Sequence, residues 1–175
     1  MVKTNGTDGV SAANTFLMYD RDQEYMQAAL AEAQKARALH EVPVGAVVVK
    51  NGTIVGRGHN SMITLHDPSA HAEIQALRSA GKTLGNYRLT NATMYVTIEP
   101  CIMCMAALVQ ARIRRLVYGA DDPRAGAAGS VFDLTGDPRL NHRIAVRRGV
   151  CTEDCSTLLR DFFIARRQRR DGRVG

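Results

Sequence analysis

The chain has 175 residues, of which 45% are hydrophobic and 23% charged, with a net charge of +6 at neutral pH. This length and composition are typical of one globular domain with its own core. No apolar run approaches the roughly 18 residues that a membrane span requires, and no secretory signal is recognisable, so we expect no membrane association. Two of the four cysteines form a Cys-x-x-Cys pair, which favours a reducing, cytoplasmic setting. The basic charge is compatible with a nucleic-acid partner without establishing one.

The first part of the chain predicts a tail, a helix and a hairpin. Residues 1–18 show no periodicity and are interpreted as a mobile tail that precedes a domain spanning residues 19–170. From Asp20 onward, apolar residues recur at spacings of three and four, which predicts an amphipathic helix capped by Asp20 or Asp22. Residues 43–57 predict a β-hairpin, because two β-branched runs flank the turn pair Asn51-Gly52.

Strands and helices alternate in the rest of the domain. The pattern predicts helices over residues 71–80 (closed by Gly81), 101–112 and 152–170, and strands over 92–98, 114–119 and 142–150. The last helix should turn Leu158, Leu159, Phe162, Phe163 and Ala165 inward, and residues 171–175 form a short C-terminal tail. Alternation favours parallel pairing beside the antiparallel hairpin. We therefore expect an α/β fold, with a mixed sheet of about five strands and helices on both faces.

A cluster of metal-binding residue types stands at the centre of the chain. His71-Ala72-Glu73 is followed by Pro100-Cys101-Ile102-Met103-Cys104. One imidazole and two thiolates provide three ligands, the number that a catalytic zinc uses while it keeps a fourth position for water. The spacing is the H-x-E…P-C-x-x-C signature of zinc-dependent nucleobase deaminases. Glu73 would then move protons to and from that water.

The spacing also predicts how the ligands converge. Positions i and i+2 lie roughly 200° apart on a helix, so His71 and Glu73 can meet only beyond its N-terminal end. Cys101 and Cys104 share one face at i and i+3, and Pro100 suits the start of their helix. Two helix N-termini would then point at one cation and help to hold the cysteines as thiolates.

Two other interpretations of these residues exist. A structural zinc would need a fourth ligand, for which His59 and His66 are candidates, but closed structural sites usually contain two Cys-x-x-Cys pairs. A redox pair formed by Cys101 and Cys104 would leave the distant His-x-Glu without a purpose. A catalytic site is therefore favoured.

Two further segments carry functional signals. Residues 121–130 end in Gly126-Ala127-Ala128-Gly129-Ser130, which suits either close backbone approach to a ligand or a plain surface loop. From residue 142 onward there are nine arginines and four acidic residues, so +5 of the net +6 charge lies there. The planar guanidinium group of arginine is suited to bind phosphate. Alternatively, these arginines are solvent-exposed cations that favour the C-terminal end of the helix dipole. Cys151 and Cys155, at i and i+4, are interpreted as packed thiols.

Several stretches resemble the bacterial tRNA adenosine deaminases, within the cytidine deaminase-like zinc enzymes. The zinc signature alone marks only the superfamily. The other matching stretches point to the tRNA-editing branch and span about residues 20–170: Val42-Pro43-Val44-Gly45-Ala46, Gly58-His59-Asn60, His66-Asp67-Pro68-Ser69-Ala70-His71-Ala72-Glu73, Asn86-Tyr87-Arg88-Leu89, Thr97-Ile98-Glu99-Pro100-Cys101, the 126–130 loop, Asn141-His142-Arg143 and Asp161-Phe162-Phe163.

The resemblance implies a three-layer α/β/α fold and a homodimer that converts the wobble adenosine of a tRNA anticodon, with tRNA-Arg as the expected substrate, to inosine with release of ammonia. It implies one Zn²⁺ per subunit, held by His71, Cys101 and Cys104, with Glu73 as the proton shuttle. Candidate substrate contacts are Asn60 to the nucleoside, the Ala72 amide beside the base, Val44 in the pocket wall, His66, and Arg166 and Arg167 to RNA phosphates.

Two rival functions remain open. The first is deamination of a free base or nucleoside, such as guanine or cytosine, which would not need the arginine-rich helix. The second is a zinc-stabilised RNA-binding protein without catalysis. Glu73 argues against the second, because a purely structural metal site has no use for that carboxylate.

Overall fold

A computed structural model describes the backbone of residues 12–171 and the side chains of residues 21–169. The predicted tails therefore lie outside the described residues over 1–11 and 172–175. Among the residues that the structure describes, no helix combines the length and apolar character that crossing a membrane requires. In chain order the elements are α1 (Ala12–Ala38), β1 (Gly45–Lys50), β2 (Thr53–His59), α2 (Met62–Leu65), α3 (Ala72–Leu84), β3 (Thr93–Ile98), α4 (Ile102–Gln110), β4 (Arg115–Ala120), β5 (Ala145–Arg148) and α5 (Thr152–Asp171).

The five strands form one mixed sheet in the order β2-β1-β3-β4-β5. Strand β1 pairs antiparallel with both β2 and β3, whereas β3, β4 and β5 are parallel. The predicted hairpin is confirmed, and Asn51 and Gly52 both adopt the positive φ that its tight turn requires. Because β3 and β4 are parallel, their carboxyl ends meet at one edge of the sheet, which is where such folds place their sites.

Helices cover both faces of the sheet and confirm the three-layer arrangement. Val48 of β1 packs with the buried faces of α3 and α4, whereas Val47 and Val49 pack with α1 and α5. This alternation follows from the two-residue period of a strand. Helix α3 lies close to β2, since a Cβ on Gly58 would lie 2.4 Å from the Ala72 carbonyl oxygen. The absence of a side chain at Gly58 therefore sets the position of the first turn of α3.

Two predicted helix ends are wrong. Helix α1 begins at Ala12 instead of near Asp20. Residues 12–19 contain neither glycine nor proline and include good helix formers, so the helix continues through a stretch without amphipathic periodicity. Helix α3 runs through Gly81 and ends at Gly85, whose φ is +60°. The extra turn packs Leu84 against the core, and Gly85 provides the left-handed cap.

Asp22, a predicted cap, is instead a buried junction between α1 and the sheet. Its carboxylate accepts hydrogen bonds from the Tyr95 hydroxyl at 2.7 Å and from two nitrogens of Arg115 at 2.8 and 2.7 Å. Arg147 of β5 donates to the same carboxylate. Burial alone would raise the pKa of Asp22, but hydrogen bonds from Arg115 and Tyr95 outweigh it and lower the pKa below its usual value. One carboxylate thus joins α1 to β3, β4 and β5.

Candidate metal centre and substrate pocket

The first turns of α3 and α4 bring the three predicted ligands together. His71 immediately precedes α3 and Cys101 immediately precedes α4, and both residues have extended backbone. The His71 Nδ1 atom lies 3.5 Å from the Cys104 Sγ and 3.8 Å from the Cys101 Sγ. All three ligand atoms lie within 4.8 Å of one another. The predicted convergence of two helix N-termini is therefore present.

The donor set and its spacing fit zinc. Tetrahedral zinc, with Zn–S bonds of about 2.3 Å and Zn–N bonds of about 2.0 Å, separates its ligand atoms by about 3.5 to 3.8 Å. The N···S separation expected from these bond lengths is about 3.5 Å, which the distance to Cys104 equals and the distance to Cys101 exceeds by about 0.3 Å. In the described part of the chain no fourth histidine, cysteine or carboxylate joins this group. His59 instead contacts Glu32 at 3.3 Å and His66 is exposed, so neither candidate closes a structural site.

The two thiols differ in their protonation. Hydrogen bonds from Cys104 and from His71 lower the pKa of Cys101 to about 3. The hydrogen bond to Cys101 and burial raise the pKa of Cys104. The thiolate form is thus favoured at Cys101 and the thiol form at Cys104. A cation that binds both sulfur atoms as thiolates would displace the Cys104 proton.

Glu73 lies in the first turn of α3 with only 3% of its surface exposed. Burial raises the pKa of its carboxyl group. Both Glu73 and the ligands His71 and Cys101 line the same cavity. The carboxyl group thus stands beside the metal ligands and faces the space that a substrate would occupy.

That cavity has a volume of about 590 Å³, enough for a nucleobase with its ribose. The segment before β1 and the end of β3 contribute apolar wall residues, and the loop after β4 and helix α5 contribute other sides. The lining consists of Val42, Val44, Asn60, His71, Glu73, Ile98, Glu99, Cys101, residues 121–125, Leu159, Arg160, Phe163 and Arg167.

Asn60 is buried in the cavity wall, and its orientation is fixed by α3. Its Oδ1 atom accepts a hydrogen bond of 2.9 Å from the Ala72 backbone N–H. The Asn60 amide nitrogen is therefore left to donate to a ligand. The Ala72 N–H donates to Asn60, and Ala72 does not line the cavity. His66, which ends α2 in a left-handed conformation, does not line the cavity either. Substrate contacts by Ala72 and His66 stay predictions.

The two predicted RNA-binding arginines lie on different sides of α5. Arg167 lines the cavity together with Arg160, whereas Arg166 lines a separate groove. Consecutive helical residues differ by about 100° in direction, which accounts for the separation. Phe163, predicted to point inward, is 41% exposed and borders the cavity.

Glu99 was not anticipated, and it organises one wall of the cavity. Its side chain is 2% exposed, and its carboxylate accepts hydrogen bonds from the backbone N–H groups of Asp122 (3.0 Å), Ala128 (2.9 Å) and Ser130 (3.1 Å). Burial alone would raise the pKa of Glu99, but hydrogen bonds from Ser130 and Asp122 outweigh it and lower the pKa.

The glycine-rich loop of residues 121–130 therefore folds around a carboxylate of the protein itself. A Cβ on Gly126 would lie 2.3 Å from Glu99 Oε2, so only glycine permits this approach. Residues 121–125 line the cavity, so the segment is not a plain surface loop, whereas the N–H groups of Ala128 and Ser130 bind Glu99. The loop is a wall that Glu99 holds against the cavity.

Comparison with known proteins identifies the same chemistry. Residues 19–120 match the family model described as the cytidine and deoxycytidylate deaminase zinc-binding region. The tRNA-specific adenosine deaminase of Haemophilus influenzae is 49% identical over 150 residues, which cover 85% of this chain and 87% of that protein.

Solved structures agree with this similarity. One from a study of A-to-I editing by tRNA:A34 deaminases at the wobble position of transfer RNA is 43% identical, covers 78% of this chain and 99% of that chain, and superposes with a TM-score of 0.76. The guanine deaminase from Nitrosomonas europaea, at 21% identity, covers 93% of this chain and 98% of that chain with a TM-score of 0.66, and shows a common fold alone.

Proposed function

The chain belongs to the tRNA-specific adenosine deaminases, within the family that carries the cytidine and deoxycytidylate deaminase zinc-binding region, and we propose that it converts the wobble adenosine of a tRNA anticodon to inosine. The observation that carries the proposal is the convergence of His71, Cys101 and Cys104 beside the buried carboxyl group of Glu73, in a cavity of nucleoside size. The reaction replaces the 6-amino group of adenosine with oxygen from water and releases ammonia.

Zinc held by His71, Cys101 and Cys104 would supply a Lewis acid that lowers the pKa of a water ligand towards about 7. The protein's own task is to move protons. One proton must leave the attacking water and reach N1 of adenine, and another must reach the departing nitrogen. Glu73 is the carboxyl group that borders both the ligands and the cavity, and its raised pKa suits a group that accepts and returns a proton.

Recognition of the base is assigned to the cavity wall. Asn60 is held by Ala72 so that its amide nitrogen can donate to the nucleoside. Val44 and Val42 provide apolar contact with the base plane. The nucleotide must leave its stack to enter, which costs little in an anticodon loop, where the base is already unpaired.

The charge of α5 supports an RNA substrate over a free base. Arg160 and Arg167 line the cavity beside Phe163, where phosphates flanking an inserted nucleotide would lie. We propose tRNA-Arg as the substrate and the cytoplasm as the place of reaction. A deaminase of guanine or cytosine would gain nothing from cations at the cavity rim.

An apolar face beside the metal centre supports the proposed homodimer. Ile102 and Met103 of α4 are 45% and 37% exposed, and Val131 and Phe132 are 46% and 49% exposed. The two pairs are neighbours, because Gly126 pairs with Cys101 and accepts hydrogen bonds from Val131 and Phe132. Four such side chains together are typical of a covered surface. Sedimentation should give twice the chain mass, and a monomer at micromolar concentration would remove this part of the proposal.

A substrate panel separates the proposed function from its rivals. Zinc-loaded protein is incubated with a tRNA-Arg anticodon stem-loop that carries a wobble adenosine and, in parallel, with free adenosine, guanine and cytosine. Inosine in the stem-loop only supports tRNA editing. Deamination of a free base only would keep the zinc chemistry but discard the RNA substrate. RNA binding without ammonia release on any substrate would indicate a non-catalytic protein.

A further inference from the structure

Helix α5 borders a second groove that the proposed reaction does not use. The groove has a volume of about 630 Å³ and lies between the end of α1, helix α2 and a face of α5 that differs from the cavity face. We call it the basic groove, because its lining includes Arg37, His40, Arg166 and Arg169 and contains no acidic residue. Ile63 and Phe162 form part of its floor.

The arginines of the basic groove have no structural partner in the described part of the chain. Arg37, Arg166 and Arg169 are exposed and make no hydrogen bond or ion pair with a described residue. Arginines that stabilise this fold behave differently. Arg115 and Arg147 both bind the buried carboxylate of Asp22. The three groove arginines are therefore available to an external anion.

The arrangement of these cations suits a chain of phosphates better than one small anion. Arg166 and Arg169 are one helical turn apart on α5, and Arg37 approaches from α1. Guanidinium forks bind phosphate oxygens in pairs, and each of the three can engage a separate group. Along α5 the basic groove neighbours the cavity face, where Arg160 and Arg167 lie.

The charge on the remaining face of α5 limits the path of a polyanion. On that side α5 contributes Asp154 and Asp161, which would repel phosphate, to a groove with α1. The only basic residue among the lining residues of this groove is Arg37, which lies between it and the basic groove and lines both. A nucleic acid that leaves the cavity is thus attracted to one neighbouring face and repelled from the other.

We propose that the basic groove binds the phosphate backbone of the tRNA substrate outside the edited nucleotide. The proposal rests on the proposed function, because it takes tRNA as the occupant of the cavity. It assigns Arg166 and Arg169 to backbone binding remote from the reacting base, and it adds Arg37 and His40 of the α1 end to the RNA-binding surface. An acidic protein partner would meet the same charges, but it would have no connection with the cavity.

The test combines three substitutions in the groove with a matched control. One variant carries Arg37→Gln, Arg166→Gln and Arg169→Gln. The control carries Arg21→Gln, Lys82→Gln and Arg114→Gln, which remove the same charge from exposed, unpaired positions elsewhere in the described chain. Both full-length, zinc-loaded variants are assayed for kcat and KM on the stem-loop over a range of salt concentrations, and for stem-loop binding by fluorescence anisotropy.

The KM of the groove variant should be about tenfold or more higher than that of the wild type at physiological salt. Each lost phosphate contact reduces the number of counterions that RNA binding releases, and this release favours binding. The slope of log Kd against log salt should fall by about 2 to 3, at roughly 0.7 to 0.9 per contact. The kcat should change less than twofold, since no cavity residue is altered. The control should leave KM and the salt slope within the error of the wild type.

Two outcomes overturn the proposal. The first is that the wild type edits the stem-loop while the KM and salt slope of the groove variant equal those of the control variant. The second is loss of binding to a poly-glutamate peptide in the groove variant while RNA binding is unchanged, which would assign the groove to an acidic protein. Absence of inosine with the wild type would count against the proposed function instead, and the anisotropy measurement would still decide the groove, because it needs no turnover.

Discussion

Replacement of Glu99 by glutamine should loosen the loop wall of the cavity without altering a metal ligand. The carboxylate accepts three backbone N–H groups, two at Oε1 and one at Oε2. In Glu99→Gln the amide oxygen can keep the Ala128 and Ser130 donors, but the amide NH₂ then faces the Asp122 N–H. One buried donor loses its acceptor, at a cost of about 1–3 kcal/mol, and two charge-assisted bonds become neutral, at about 1 kcal/mol each. The expected total is about 3–5 kcal/mol.

Glu41→Gln provides the matched control. Glu41 is fully buried, and its Oε1 accepts the Thr64 N–H at 2.7 Å while its Oε2 has no hydrogen-bond partner. The glutamine oxygen can keep the Thr64 bond, and its NH₂ replaces an oxygen that bonded to nothing. The change should therefore cost about 1 kcal/mol, because one hydrogen bond to the carboxylate weakens and none is lost, although the chemical substitution is the same.

Amide hydrogen exchange and urea unfolding measure the effect. In Glu99→Gln the amide of Asp122, which loses its acceptor, should exchange much faster, whereas those of Ala128 and Ser130 should change less. KM for the stem-loop should rise because residues 121–125 line the cavity. The pKa of Glu99 is lowered in the folded protein, so the ionised carboxylate stabilises the fold. This contribution to the free energy of unfolding is present above the pKa of the unfolded state, near 4.5, and is lost as the pH falls below it. The difference in the free energy of unfolding between the wild type and Glu99→Gln should therefore decrease at acidic pH. Equal effects of the two substitutions would refute this account of the loop.

Three other changes have defined outcomes. Glu73→Gln should retain one zinc per chain and reduce kcat at least about 100-fold, as zinc analysis and an inosine assay would show; retained activity would remove its proton-transfer role. Cys101→Ser should lose zinc on dialysis, since a thiolate ligand is removed; stoichiometric zinc would contradict the ligand set. Asp22→Asn should destabilise the fold by about 3 kcal/mol in urea unfolding, because Arg115 loses its buried counter-charge. The lowered pKa of Asp22 means that this loss should be full near neutral pH and diminish below about 3.8; a loss independent of pH would exclude the charge as its cause.

The metal centre could be predicted because its geometry is local. The spacing of His71 from Glu73 and of Cys101 from Cys104 specifies two helix N-termini that point at one cation, and the structure contains both. The sheet was predictable for a similar reason. Alternation of strands and helices after residue 90 determines parallel pairing, and Asn51-Gly52 determines the hairpin.

The contacts that hold the site in place depend on residues far apart in the chain. Asp22 binds partners 73, 93 and 125 residues away, so the sequence around it indicated only a helix cap. Glu99 binds backbone groups 23 to 31 residues later, which no pattern of side chains reveals. Arg166 and Arg167 are adjacent in sequence, and only the packing of α5 shows that they serve different surfaces. Helix α2, with four residues, is too short for periodicity to detect.

The most direct test of tRNA editing is position-specific detection of inosine after incubation with zinc-loaded protein. The substrate is a tRNA-Arg anticodon stem-loop with adenosine at the wobble position, compared with a stem-loop in which that adenosine is moved by one nucleotide. Wobble-specific editing should give inosine and an equal amount of ammonia from the first substrate, and neither from the second. No inosine from the first substrate, with one zinc bound per chain, would contradict it.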